Sequence, residues 1–328
     1  IAVPLAAEFK PSRMVLMLAM TVLSGVSALI APMLGTLIDR TSIRRLMLLG
    51  AVLLSAGYAA LSLATSFNHV MLVFGALIAP ANVLLGPVGV AALLSRWFSK
   101  RRARAIGIAI AGVGAGGFIF PIVIQGLLNA LPWRDAMQVL GLILFVLTVP
   151  AALLVIDRPA ERGLFADGAA GEPDDAAPAG SAPVSAIRVL GDPTFWLCCL
   201  LFGLVTSGMK GMVTNLPPLA IGLGVDKTRA ALLVSVYSGF AFIAKIGFAA
   251  IGDRMTPRAV MWTALGGFSA GMACMVFAHS FAMIALGVGL AGLFGGMMVP
   301  LQGYLVPRVF GREIVGRTMG LMSSVTLV

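Results

Sequence analysis

Nine stretches of this sequence run for twenty or more residues with almost no charge: Met14–Ile38, Leu46–Ser66, Val70–Ser95, Ala105–Leu131, Ala136–Ile156, Phe195–Ile221, Ala230–Gly252, Ala259–Ala278 and Phe281–Val306. Their only charged residues are Lys210 and Lys245. About 20 consecutive apolar residues, coiled as a helix, span the hydrocarbon core of a bilayer. Lipid offers no hydrogen bonds, so the backbone must pair within each segment, and a helix does that. Partial runs lie at Ile1–Ala7 and Ile314–Val328. The chain is 59% hydrophobic and 11% charged. Water-soluble domains carry roughly 25% charged residues, because their surface needs polar cover. The sequence therefore predicts an all-α polytopic membrane protein.

Charge placement orients it. The net charge of +10 does not point to nucleic acid, because the cations sit in short clusters between apolar runs rather than on one polar face. Of the 23 Lys and Arg residues, two lie inside runs and the rest divide between two sides. One side holds Arg40, Arg44, Arg45, Arg96, Lys100, Arg101, Arg102, Arg104, Arg158, Arg162, Arg188, Arg254, Arg258, Arg308, Arg312 and Arg317. The other holds Lys10, Arg13, Arg134, Lys227 and Arg229. Sixteen against five predicts that the richer side is cytoplasmic, in the cell (inner or plasma) membrane.

Between Asp157 and Asp192 the composition turns to Ala, Gly, Pro, Asp and Ser with no apolar period, which reads as a cytoplasmic linker. The two sides of that linker repeat each other. Ile38-Asp39-Arg40 and Gly252-Asp253-Arg254 are 214 residues apart, as are Ser66-Phe67 and Ser280-Phe281, while Arg96-Trp97-Phe98 and Arg308-Val309-Phe310 are 212 apart. The expected organisation is an N-terminal bundle over residues 1–156, from the end of a first helix to a sixth. A linker over 157–192 follows, then a C-terminal bundle over 193–328 with helices seven to ten and the start of an eleventh. This reads as a twelve-helix architecture of two related six-helix bundles, truncated at both ends.

Little else in the chain bears chemistry. Cys198, Cys199 and Cys274 lie in apolar runs and read as small buried hydrophobes. His69 and His279 fall in turns without metal-ligating neighbours, and no cleavable signal peptide is visible. No nucleophile, acid–base or metal cluster points to an enzyme or a cofactor. No G-x-x-x-x-G-K-[ST] loop is present, so energy would come from an ion or exchange gradient.

Gly35-Thr36-Leu37-Ile38-Asp39-Arg40, followed by Arg44 and Arg45, resembles the G-x-L-x-D-R signature of the major facilitator superfamily, and Gly252-Asp253-Arg254 is a weaker second copy with Ala249 at the first glycine. Trp97-Phe98-Ser99-Lys100-Arg101-Arg102, with Ala105, Gly107, Ala111-Gly112 and Gly116, is similar to the aromatic-Phe-x-Lys-Arg-Arg stretch of monocarboxylate transporters and bacterial oxalate–formate antiporters. Asp157-Arg158-Pro159-Ala160-Glu161-Arg162-Gly163 resembles the bacterial group. The glycine pattern departs from the G-x-x-x-G-P-x-x-G-G of drug/proton antiporters: Gly117 follows Gly116, and the proline waits until Pro121. The resemblance implies a membrane transporter with a small carboxylate as substrate, and H+ or a counter-anion as coupling species. It also implies a cation at the position of Lys245, where the family commonly has Arg. Ala241 stands where proton-coupled members carry an Asp, which leaves coupling open.

The residues themselves point the same way. A lysine at mid-helix costs about 2.5–3.5 kcal/mol on insertion scales. Snorkelling explains Lys245 poorly, because it lies about 12 Å of helix rise from Asp253. No Asp or Glu lies inside any run, so the missing counter-ion reads as an anionic substrate. The expected substrate residues are Lys245, Lys210, Tyr237, Asn215 and Gln125, with Asn215 just before a helix break at Pro217-Pro218. The expected cytoplasmic latch is Asp39, Arg40, Arg44, Asp253, Arg254 and Arg102, since a carboxylate at a helix end can clasp the positive N-terminus of another helix. Gly112 and Gly116 form a small-xxx-small pair suited to close helix approach. The competing reading is an efflux pump or facilitator for neutral or cationic compounds; the expected state is a monomer in a lipid bilayer.

Overall fold

The computed structural model describes residues 5, 8–168, 186–222, 227–311 and 314–327. Nine helical rods occupy the nine runs among these residues: α1 (Arg13–Arg40), α2 (Ile43–Ser62), α3 (Phe67–Trp97), α4 (Arg102–Ala130), α5 (Trp133–Leu153), α6 (Pro193–Gly222), α7 (Lys227–Ile251), α8 (Pro257–Val276) and α9 (Phe281–Val309). A further helix, α10 (Val315–Leu327), follows. Eight of the rods contain a segment long and apolar enough to cross a bilayer. The fold is all-α and polytopic. Large apolar side chains point outward along the rods, among them Leu29, Met33, Leu142, Trp262 and Val276, each more than 60% exposed. Leaving each in water would forfeit about 1.5–3 kcal/mol of burial, which lipid recovers.

Short polar turns start the rods. Ser42, Ser66, Thr256 and Ser280 each sit in extended backbone, and each side chain accepts from the amide three residues on. That satisfies one orphan N–H of the first turn. Ser66 and Ser280, the repeated pair, have nearly the same geometry: φ −147°, ψ 159° and φ −144°, ψ 155°.

Proline and glycine shape the interiors. α3 contains a π-turn at Phe74–Ile78 and breaks direction at Gly86-Pro87, and α9 changes segment between Gly295 and Met298. The break expected at Pro217-Pro218 does not occur: α6 runs unbroken to Gly222. Loose backbone groups are costly at membrane depth, and the Asn215 side-chain amide donates to the Gly211 carbonyl at 2.7 Å, holding that turn together.

The residues divide into two compact units. The first comprises Ile1–Trp97, Gly117–Val189 and Phe310–Val328. In it α2 packs on α5, where a Cβ added to Gly141 would lie 2.9 Å from the Ser55 carbonyl oxygen. α10 lies along α1, with Gly316 and Gly320 pressed on the backbone of Gly35 and Ala31, and the Ser324 hydroxyl donating to the Ala28 carbonyl. The second unit comprises Phe98–Gly116 and Leu190–Val309. In it α9 packs on α8 through Gly271 and Gly287 and on α7 through Gly292 and Gly296. The first part of α4 also packs on α7.

Candidate functional site

Two carboxylates each clasp the start of a helix from the opposite side of the linker. In the first unit, Asp39 at the end of α1 accepts from the backbone amides of Gly316 and Arg317, both at 2.7 Å. Gly316 is required there, because a Cβ on it would run into the Gly35 backbone carbonyl as well as the Asp39 carboxylate. In the second unit, Asp253 after α7 accepts from Ala103 at 2.7 Å and Arg104 at 3.0 Å, in the first turn of α4. An anion bound to exposed amides at a helix N-terminus gains from both the hydrogen bonds and the helix dipole. The amides that receive Asp39 lie 213 residues beyond those that receive Asp253, so the repeat extends to the partners as well.

The other expected latch residues, Arg102, Arg44, Arg40 and Arg254, lie near these clasps in sequence, and Arg317 and Arg96, which were not expected there, join them. Arg102 is 3% exposed and its Nε donates to the Phe98 carbonyl at 3.1 Å. Arg317, also buried, donates from Nε to Thr36 Oγ1 at 3.4 Å. The Arg44 amide donates to Asp157 at 2.8 Å, while the Arg40 and Arg254 side chains are exposed. Arg96 Nη2 donates to the Ile38 carbonyl at 3.0 Å, just before Asp39.

Among the expected substrate residues, Lys245 is half-buried on α7. Among the described residues no ion pair joins it. Its neighbour on α4 is Gly114: a Cβ added there would lie 3.7 Å from Lys245 Nζ and 3.1 Å from the Phe242 ring. α4 and α7 stay close along a seam, for a Cβ on Gly107 would lie 2.7 Å from the Ala249 Cβ, and one on Gly252 3.0 Å from the Ala103 Cβ. The close approach therefore uses Gly107 and Gly114, two full turns apart on one stripe. Gly112 faces away, with no described atom within 4 Å of an added Cβ. That corrects the expectation placed on Gly112.

Tyr237, two turns before Lys245, is buried, and its backbone meets Gly292 of α9. Lys210 and Asn215 are exposed on α6. Gln125 belongs to the first unit, is exposed, and donates to Asn129 Oδ1 at 2.9 Å. The polar side chains of Gln125 and Asn215 are thus each spent on their own helix in this structure. The second unit also has a cavity of about 200 Å³ against Phe248, Met255, Val260, Thr263, Phe294 and Met297. It is apolar and neither lysine lines it, so its size does not make it the chemical site.

Sequence reading missed two features. One is the Phe242–Gly114 contact around Lys245, since inter-helix neighbours leave no trace in a single sequence. The other is a clamp in the first unit. Glu8 accepts from Arg134 Nη1 at 2.6 Å and from the Trp133 indole; Arg134 Nη2 also donates to the Ala64 carbonyl at 2.8 Å, and its guanidinium lies 4.5 Å over the Trp133 ring.

Long apolar rods, a half-buried lysine inside the second unit and carboxylate clasps at rod ends define a polytopic α-helical membrane protein. The chain belongs to the Major Facilitator Superfamily, whose family profile matches residues 1–326. It is 28% identical to monocarboxylate transporter 13 of Rattus norvegicus over 289 residues, covering 87% of this chain and 64% of the relative. It is 26% identical to monocarboxylate transporter 12 of Homo sapiens over 325 residues, covering 90% and 62%. The chain thus spans less than two thirds of the length of these relatives. MFS-type transporter pytF of Aspergillus terreus is 26% identical over 67% of the chain and 70% of the relative. Among solved structures, the proton:xylose symporter XylE superposes with a TM-score of 0.76 at 13% identity, over 99% of this chain and 80% of that one. The human organic anion transporter MFSD10 superposes with a TM-score of 0.66 at 17% identity, over 95% and 75%. These likenesses at low identity establish the fold, and family membership sets the chain among transporters rather than enzymes.

Proposed function

We propose that this protein carries a small organic anion, a mono- or dicarboxylate, across the membrane by alternating access, with Lys245 as the cation that receives the carboxylate. The observation that carries the reading is a half-buried ammonium on a membrane helix in a chain whose apolar runs hold no Asp or Glu. Such a charge is costly in lipid, and a visiting anion offsets that cost. Lysine suits the role, being a point charge on a flexible stem that can bind and release. Lys210 supplies a second positive charge to the same unit, while Tyr237 would orient the substrate, as would Asn215 and Gln125 once their present bonds exchange. The similarity to proteins named monocarboxylate transporters supports the substrate class.

In this reading the Asp39 and Asp253 clasps, with Arg40, Arg44, Arg102 and Arg254 around them, engage when the cytoplasmic path shuts and part when it opens. The moving bodies are the two sequence halves, residues 1–156 and 193–328, with the 157–192 linker in the cytoplasm and the protein a monomer in the cell membrane. A proton or a counter-anion supplies the drive. Lys245→Gln should abolish uptake of radiolabelled carboxylate into proteoliposomes. Undiminished uptake by that variant would remove the assignment. Dye efflux by a protein that takes up no carboxylate would favour the neutral or cationic substrate reading instead.

A further inference from the structure

Resting on the carboxylate reading of Lys245, we infer that Gly114 is a positioning residue, whose missing side chain seats the Lys245 ammonium against α4. The seam between α4 and α7 is closed on the clasp side by Ala103 and Gly252 and then by Gly107 and Ala249, where an added Cβ meets its neighbour at 3.0 Å or less. Seven residues further along α4, at Gly114, the facing groups are the Phe242 ring and the Lys245 ammonium. An added methyl would push the ring, at 3.1 Å, and touch the ammonium, at 3.7 Å. The ring and the ammonium thus line the space a side chain would have entered. α7 supplies the charge and α4 supplies the vacancy.

This arrangement has a chemical consequence. On the α4 side the ammonium borders Gly114, as does the Phe242 ring. A carboxylate must therefore come to the other side, and its distance from α4 is set by how far the lysine retracts. Filling the notch shifts the Phe242 ring and lays a methyl against the ammonium, which alters the seat without removing the charge. The effect should then fall on substrate affinity rather than on the fold, since alanine is the better helix former. A carboxylate placed in the notch would act differently. It would be a built-in counter-ion, pairing with the ammonium.

The test uses radiolabelled lactate and oxalate in proteoliposomes, together with labelling of Lys245 by a membrane-permeant amine-reactive reagent read by mass spectrometry. Gly114→Ala should raise KM for the transported probe by roughly 3–10-fold, the range of a modestly misplaced charge contact, with maximal velocity within about two-fold. Gly114→Asp should abolish transport and cut Lys245 labelling at least about five-fold, because an amine held in an ion pair is less available to the reagent. Size-exclusion profiles check that both variants fold, and the alanine variant carries the test if the aspartate variant does not. Labelling of Lys245 unchanged by Gly114→Asp, or a Gly114→Ala variant with wild-type KM while Lys245→Gln is inactive, overturns the seat. Labelling reduced by Gly114→Asp when the unsubstituted protein itself moves neither probe upholds the seat and overturns the carboxylate reading alone.

Discussion

At the scale of single residues, charge in unusual places carries most of the information, and not all of it concerns transport. Lys245 was legible in the sequence because a cation among apolar residues needs a reason. Its seat was not, because Gly114 and Phe242 reach it from 131 residues away and from one turn before it on its own helix. Glu8 gave no signal in sequence, yet in the structure it gathers Arg134 and Trp133. The Arg134 hydrogen bond, helped by the Trp133 indole, holds its carboxyl below the usual carboxylate value of 4.5. A carboxyl whose folded pKa is depressed stabilises the fold above its unfolded pKa, and loses that contribution as pH falls through the folded value. The clamp should therefore hold at neutral pH and release in acid. The melting temperatures of the native protein and Glu8→Gln should differ at pH 7 and converge as the pH falls below the usual carboxylate value of 4.5. A difference that persists unchanged at the acid end would show that Glu8 is not the titrating group.

At the scale of helices, the repeat foretold which carboxylates matter but not what they hold. Asp39 and Asp253 stand out as a repeated Asp-Arg at rod ends. The amides of Gly316, Arg317, Ala103 and Arg104 carry no side-chain label, and any helix start offers the same N–H groups. A charge-assisted hydrogen bond contributes about 1.5–3 kcal/mol and a neutral one about 0.5–1.5 kcal/mol. Asp39→Asn should thus raise hydrogen exchange at the Gly316 and Arg317 amides roughly 5–30-fold, the range of a 1–2 kcal/mol loss. Asp253→Asn should do the same at Ala103 and Arg104 only. Exchange that rises equally at both sites for either variant would mean the two clasps are one cooperative element. The same scale explains the misplaced break at Pro217-Pro218. Proline counts predict helix ends well in water, but within a bilayer the penalty for unpaired backbone keeps α6 whole.

At the scale of the whole chain, topology is the most testable consequence. A cysteine introduced by Glu161→Cys, on an exposed turn after α5, should react with a membrane-impermeant maleimide in inside-out vesicles and not in right-side-out ones. The reverse pattern would invert the orientation drawn from the cation count. The sequence alone determined that the chain crosses a membrane as helices, where those helices lie, and that its halves are copies. Each of these follows from local properties: run length against bilayer thickness, capping serines, and repeated residues at a constant offset. Only the tertiary structure decided which glycines are contact points, what the repeated carboxylates clasp, and how Lys245 is seated. It also decided that the compact units take α10 with the early helices and the start of α4 with the late ones. Those facts depend on which helix faces which. In lipid the outward and inward faces of a rod are both apolar, so the hydrophobic pattern that reveals facing in a soluble protein is almost silent here.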